Sequence, residues 1–184
     1  MSGRVIDERA IGERYLAFRS PPDERGPSRP NGITSSAPPF GCRSVSTRKL
    51  PNIRAPLRID LSDPVWCPEM HDGSGPGELL TVFCANVIHI APWHVAEGLF
   101  AGAGRYLRSD GRLFLYGPFK RGGKHTAVSN AVFDASLREG NPEWGVRDIE
   151  AVERLAASAG LLLEEISEMP ANNLTLVFGR SKTG

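Results

Sequence analysis

His89 is the side chain best suited to move a proton at neutral pH, because an imidazole titrates near neutrality and this one closes an apolar run, residues 79–90. The same residue at a strand end would serve equally as a plain hydrogen-bonding group, and the sequence leaves both readings open. Cys67, His71, Cys84, His89 and His94 carry the ligand types of a zinc site. Their spacing lacks any Cys-x-x-Cys pair, and Cys84 lies within the apolar run, so a buried thiol is expected there and no metal. Gly73-Ser74-Gly75 has the letters of a nucleophile turn without the strand before it or the helix after it. Asp72-Gly73-Ser74-Gly75-Pro76-Gly77 fails as a cofactor loop for the same reason, and reads as a connecting loop. Arg121-Gly122-Gly123-Lys124-His125 is either an anion-binding cluster or a solvated one. Trp144, held between Asn141-Pro142 and Gly145, is a candidate to cover a ligand pocket, while Arg147 and Asp148 suggest a fixing salt bridge and a helix cap.

Charge narrows the partners. Lys and Arg total 22 and Asp and Glu 21, a net charge of +1, which gives no electrostatic reason to expect nucleic acid or an anionic membrane. No apolar run approaches the roughly 20 residues of a membrane span, and Met1 to Ala10 carries Arg4, Asp7, Glu8 and Arg9 instead of a signal peptide. Three widely spaced cysteines point to a reducing compartment. A soluble, cytoplasmic protein with a small-molecule or protein partner is expected.

These residues need elements to position them. The first 50 positions hold 26 Arg, Pro, Ser or Gly, so residues 1–49 are expected to be irregular, apart from a short helix over 5–19 with Ile11, Tyr15 and Phe18 on one face. Residues 50–180 alternate strand-length and helix-length apolar patterns, as an α/β domain does, before a tail at 181–184. A short strand is predicted over 56–61, ending near Asp60. A central strand covered on both faces is predicted over 79–90, then a helix from Pro92 with Val95, Ala96, Leu99, Phe100, Ala103 and Leu107 inward, stopped by Ser109-Asp110-Gly111. Arg112 to Tyr116 is the next strand. Ser129 and Asp148 cap two further helices, the second ended by Gly160. The last two strands, about 161–168 and 174–179, are too close for a helix between them and should pair antiparallel.

Several phrases in order carry a resemblance: Pro51-Asn52-Ile53-Arg54-Ala55-Pro56-Leu57, Ala85-Asn86-Val87-Ile88-His89-Ile90-Ala91-Pro92-Trp93, Glu97-Gly98-Leu99-Phe100, Leu115-Tyr116-Gly117-Pro118-Phe119, Asn141-Pro142-Glu143-Trp144-Gly145-Val146-Arg147-Asp148 and Met169-Pro170-Ala171-Asn172-Asn173. Together they resemble the methyltransferase-like 26 family over about residues 50–180. The resemblance implies a Rossmann-like class I methyltransferase fold, S-adenosylmethionine as cofactor, and transfer of its methyl to an acceptor the family does not name. In open α/β sheets the ligand lies beyond the carboxyl ends of the strands. The resemblance accordingly places Asp60 near the adenine, Asn86 and His89 towards the methionine part, and Tyr116, Trp144, Asn172 and Asn173 on the substrate side.

One part of the pattern is missing. A first strand with a Gly-x-Gly turn opening a helix, and a second acidic strand end, are not found in residues 1–50. The fold is therefore expected to be incomplete, the central strand to keep an open edge available for self-association, and activity to be in question. A shortened, alternatively spliced or frame-altered reading of a longer gene accounts for both the lost motif and the Arg/Pro/Ser/Gly-rich start. The alternative to an enzyme is an inactive protein-binding module.

Overall fold

The computed structural model describes residues 15–19, 59–66 and 76–180. Its main sheet has five strands. β1 (Tyr15–Arg19), β2 (Leu79–Ala85) and β3 (Leu107–Gly117) run parallel, and the chain closes with β7 (Leu161–Met169) and β8 (Asn173–Arg180), giving the order β1-β2-β3-β8-β7. β8 pairs antiparallel with both β3 and β7, as the lack of room for a helix between the last two strands requires. Between β3 and β7 lie β4 (Phe119–Arg121), β5 (Lys124–His125), α2 (Val128–Gly140), β6 (Arg147–Asp148) and α3 (Ile149–Ser158), with the three short strands forming a second sheet in the order β5-β4-β6. α1 (Trp93–Tyr106) connects β2 to β3. Among the described residues no helix is long and apolar enough to cross a membrane.

The core derives from the two periodicities. Along β3 the alternate residues Leu113 and Leu115 are buried, in register with Val82 and Cys84 of β2 and with Phe178 and Leu176 of β8. α1 presents Ala96, Leu99, Phe100 and Ala103 to this face at helical spacing, and Phe100 meets Phe178 edge-on at 5.2 Å. α3 adds Ile149, Val152 and Ala156 to the same core. The opposite sheet face is open by comparison: Phe83 is 39 % exposed, and Phe114 and Val177 are half-buried. β2 is thus not layered on both faces by the described residues, contrary to the reading of its continuous apolar run.

Three other expectations change. Residues 15–19 form a strand, not the end of a helix, because pairing Tyr15 with Thr81 through Arg19 with Ala85 satisfies backbone groups that β2 would otherwise leave unpaired. The edge of β2 expected to be free is therefore occupied; residues 5–14 lie outside the described part. Asp60 does not end a strand: Ile59 and Asp60 are irregular and residues 60–63 form a turn closed by the Asp63 N–H on the Asp60 carbonyl at 3.3 Å, with 56–58 outside the described residues. α1 stops at Tyr106 and β3 begins at once, with a register shift after the Leu79–Leu107 pair. Arg180 explains the early stop. Its guanidinium donates to the carbonyls of Gly104 and Leu107, satisfying α1's last acceptors and placing a cation at that end.

Gly98 and Gly102, one turn apart on α1, let the segment 59–66 approach the helix backbone. A Cβ on Gly98 would overlap the Leu61 carbonyl, and one on Gly102 the Trp66 indole, which stacks on Tyr106 at 5.6 Å. Gly102→Ala is expected to cost about 1–3 kcal/mol by forcing this stack apart. Thermal melting should fall, with a red-shift in tryptophan emission, while the exposed control Ala101→Ser leaves both unchanged.

Candidate functional site

The parallel strands β1, β2 and β3 end level with one another, at Arg19, Ala85 and Tyr116. Asn86 then turns the chain in the left-handed region, φ 61°, a conformation asparagine tolerates better than most residues. Its backbone N–H donates to the Tyr116 carbonyl at 2.8 Å, tying the two strand ends together. Among the described residues its side-chain amide has no protein partner.

His89 comes next, in a single 3-10 turn, Val87–His89, and is wholly buried. Its ring lies edge-on to Phe119 at 5.0 Å, its carbonyl accepts the Gly145 N–H at 2.8 Å, and Nδ1 faces the Arg147 N–H at 3.4 Å. Among the described residues Nε2 is buried without a partner, and it is turned to Gly117, where a Cβ would lie 2.6 Å from it and 2.9 Å from Asn86 Oδ1. Only glycine fits there. Burial and the Arg147 charge push the His89 pKa down to about 3, against the opposing effects of the Gly145 hydrogen bond and Asp134. Burial thus favours the neutral imidazole, with Nδ1 accepting from the Arg147 amide and Nε2 turned towards Gly117.

Arg147 holds the same turn from outside. Nε donates to the Ile88 carbonyl at 2.8 Å, Nη2 to those of Ala91 at 2.6 Å and Glu143 at 2.8 Å, and the guanidinium lies 5.5 Å from the Trp93 ring centroid. The expected salt bridge is thus replaced by a cation on backbone carbonyls. Asp148 does occupy the cap position of α3, and accepts the Gly123 N–H at 2.6 Å.

Asp134 was not legible as important. It is buried on α2 and meets Lys120 Nζ at 2.9 Å, His125 Nε2 at 3.3 Å, Arg138 Nε at 3.3 Å and the Val146 N–H at 2.7 Å. Burial would raise its pKa, but Lys120, the Val146 amide and Arg138 outweigh it and hold the carboxyl below its usual range. His125 of the basic cluster, and Lys120 just before it, are thereby turned inward. The amides of Gly122 and Gly123 are also engaged, on Glu150 at 3.1 Å and Asp148 at 2.6 Å, so this loop does not offer the free N–H groups an anion would need. The sequence signal was the spacing of Asn130, Asp134 and Leu137, which share the buried side of α2.

The substrate-side candidates gather at this end. Tyr116 accepts a hydrogen bond on its hydroxyl from Asn173 Nδ2 at 3.0 Å, which leaves the phenolic proton uncommitted. Asn172, at φ 58°, donates from Nδ2 to Ser129 Oγ at 3.1 Å and accepts at its carbonyl from Asn130 Nδ2 at 3.0 Å, so Ser129 clips the β7–β8 turn and does not cap α2. Trp144 is half-buried in the turn before Gly145, whose N–H reaches His89. Asp60 Oδ1 accepts from Ser62 N–H at 2.9 Å and Ser62 Oγ at 2.6 Å, in the segment whose Leu61 lies against Gly98 of α1. Cys84 is a buried thiol whose pKa burial pushes up to about 12, so it supplies no thiolate at neutral pH.

Because folding lowers the His89 pKa from its ordinary 6.5 to about 3, the unfolded chain binds the extra proton between these values and stability falls as pH falls through that window. From pH 7 to pH 5 the loss due to His89 is about 2 kcal/mol. Urea unfolding across this range should show that slope in the native chain and its removal in His89→Gln.

A family model described as a protein of unknown function, DUF938, matches residues 33–180. Among solved structures, human N-acetylserotonin methyltransferase in complex with SAM is similar at 12 % identity and a TM-score of 0.50, over 55 % of this chain and 29 % of that one. LaPhzM is similar at 12 % identity and a TM-score of 0.50, over 58 % of this chain and 31 % of that one. LepI in complex with SAM matches at 19 % identity and a TM-score of 0.49, over 56 % of this chain and 26 % of LepI. The chain thus spans less than a third of the length of each of these proteins. The two matches at 0.50 share its architecture, a Rossmann-like class I methyltransferase fold. With the family match covering more than half of its length, the chain belongs to the DUF938 family of proteins of unknown function.

Proposed function

We propose that this protein is an S-adenosylmethionine-dependent methyltransferase whose described part forms the methionine-side and acceptor-side wall of the site. The observation that carries the reading is that Asn86, whose side-chain amide is uncommitted among the described residues, and Tyr116, whose hydroxyl is held by Asn173, are joined through their backbones at the level ends of parallel strands. The ordered resemblance of residues 50–180 to the methyltransferase-like 26 family supports the same reading.

The polar groups fit such a cofactor at one end. Asn86, free to donate and accept, would hold its amino-acid part, and Gly117 keeps that floor clear of a side chain. When bound, S-adenosylmethionine supplies a sulfonium-activated methyl for a single displacement by a nucleophile. Tyr116 would present its hydroxyl to the acceptor, positioned by Asn173, with Trp144 at the border of the same end. The wall contributes orientation, worth several kcal/mol when reacting atoms are held in line, and no base, since His89 is buried and neutral. The acceptor is a small molecule or a protein group.

A second reading rests on the residues after β1. They run Ser20-Pro21-Pro22-Asp23, with no Gly-x-Gly turn, and that favours an inactive relative acting as a protein-binding module. Calorimetric titration with S-adenosylmethionine and S-adenosylhomocysteine separates the two. Methyltransferase function predicts saturable binding of both, weakened roughly tenfold by Asn86→Ala, about 1.4 kcal/mol, and left within about twofold by Tyr116→Phe, which faces the acceptor. A chain that is folded by circular dichroism and takes up neither compound is the inactive module.

A further inference from the structure

The turn after β2 leaves one buried nitrogen without a partner among the described residues, His89 Nε2, on a ring that is wholly enclosed. Buried polar atoms are ordinarily paired, so an orphan of this kind calls for a specific contact. The other ring nitrogen fixes what Nε2 can do. Nδ1 faces the Arg147 N–H at 3.4 Å and can only accept there, so in a neutral imidazole the single proton sits on Nε2, which is then a donor. What Nε2 faces includes an acceptor. A Cβ placed on Gly117 would lie 2.6 Å from Nε2 and 2.9 Å from Asn86 Oδ1, so the two atoms border one notch that the absent side chain leaves open. The backbones of the pair are already joined, the His89 N–H donating to the Asn86 carbonyl at 3.2 Å and the Asn86 N–H to the Tyr116 carbonyl at 2.8 Å. The Asn86 amide, uncommitted among the described residues, can turn about its own bonds.

We propose that His89 is a positioning residue for the ligand: its Nε2–H donates to Asn86 Oδ1 across the Gly117 notch and so turns the Asn86 NH2 group outward. An asparagine amide alone can present either end, and discriminates poorly between a donor and an acceptor. Once its oxygen is engaged by a ring nitrogen that only donates, the end left over is two N–H donors. The ligand group selected is a carboxylate and not an ammonium. This rests on the cofactor reading above, and assigns the Asn86 amide to the carboxylate of the S-adenosylmethionine amino-acid part. Donation runs in one direction, from the Arg147 amide to Nδ1, from Nε2–H to Oδ1 and from the Asn86 NH2 to the ligand, so each bond sets the polarity of the next.

Two measurements on the full chain test this. In nitrogen-15 NMR the His89 ring, assigned by its loss in His89→Gln, should carry its proton on Nε2, with a resonance that shifts in Asn86→Ala. In calorimetry the probes are S-adenosylmethionine and its decarboxylated form, which keeps the ammonium. His89→Phe and Asn86→Ala should each weaken S-adenosylmethionine roughly tenfold and leave the decarboxylated compound within about twofold, with circular dichroism unchanged. His89→Gln, whose amide can keep an N–H where Nε2 lies, should hold S-adenosylmethionine within about threefold of the native chain. Equal weakening of both compounds would mean that His89 only supports the fold, and overturns the proposal. A proton on Nδ1, or an Nε2 resonance indifferent to Asn86→Ala, overturns the His89–Asn86 contact whatever the chain binds. A native chain that takes up neither compound overturns the cofactor reading, and the carboxylate preference with it.

Discussion

A carboxylate withdrawn from water must be met by donors, and Asp134 draws its donors from four places in the chain. Lys120 comes from β4, His125 from β5, Arg138 from the next turn of α2, and the Val146 amide from the loop before β6. Leaving any of the close ones unmet would strand a charge in a poorly solvated site, which is far costlier than the pair is favourable. The requirement therefore fixes the hairpin, the helix and the loop together. That loop in turn gives its Gly145 amide to His89, so the geometry is handed on to the turn after β2. The wall at the strand ends is set from behind by buried polar contacts more than by apolar packing.

This arrangement separates the side chains that make the wall from those that support it. His89, Arg147 and Asp134 are the titratable groups concentrated there, yet each is engaged inward: His89 on Phe119 and Gly145, Arg147 on three carbonyls, Asp134 on its cations. Among the described residues the groups at this end left with free valences include two neutral ones, the Asn86 amide and the Tyr116 hydroxyl. Neutral groups of that kind orient a ligand through hydrogen bonds, which is what the proposed function would ask of them.

What could be read from the residues depended on whether local pattern or distant pairing decided the outcome. The closing antiparallel pair, α3 and the strand at 112–116, the second half of β3, were legible because their apolar residues recur at period 2 or 3.6 over enough length. β1 was not: five residues, Tyr15–Arg19, satisfy a helical spacing and a strand equally, and an unpaired strand elsewhere in the chain decided between them. The stop of α1 depended on Arg180, far along the sequence. α2 looked like an ordinary capped helix, since nothing local announced that its polar side would be the buried one. At the site, the resemblance put Asn86, Tyr116, Trp144, Asn172 and Asn173 at the ligand end of the sheet, and Asn86 and Tyr116 do stand at strand ends. Of the strand expected over 56–61, residues 56–58 lie outside the described residues and Ile59 and Asp60 are irregular; the burial of His89 is expressed in sequence only through the neighbours that cause it.

The central claim is that the loop before β6 is a rigid part of this wall, held by buried acceptors. Native-state amide hydrogen exchange of Gly145 and Val146 tests it directly, since their N–H groups donate to the His89 carbonyl and to Asp134 Oδ1. Protection equal to that of the core amides of β3 and β8, released only on global unfolding, is the predicted result. Exchange of these two amides at the rate of the exposed Glu143 amide nearby would show that the loop opens by itself, and that the wall is not pre-formed.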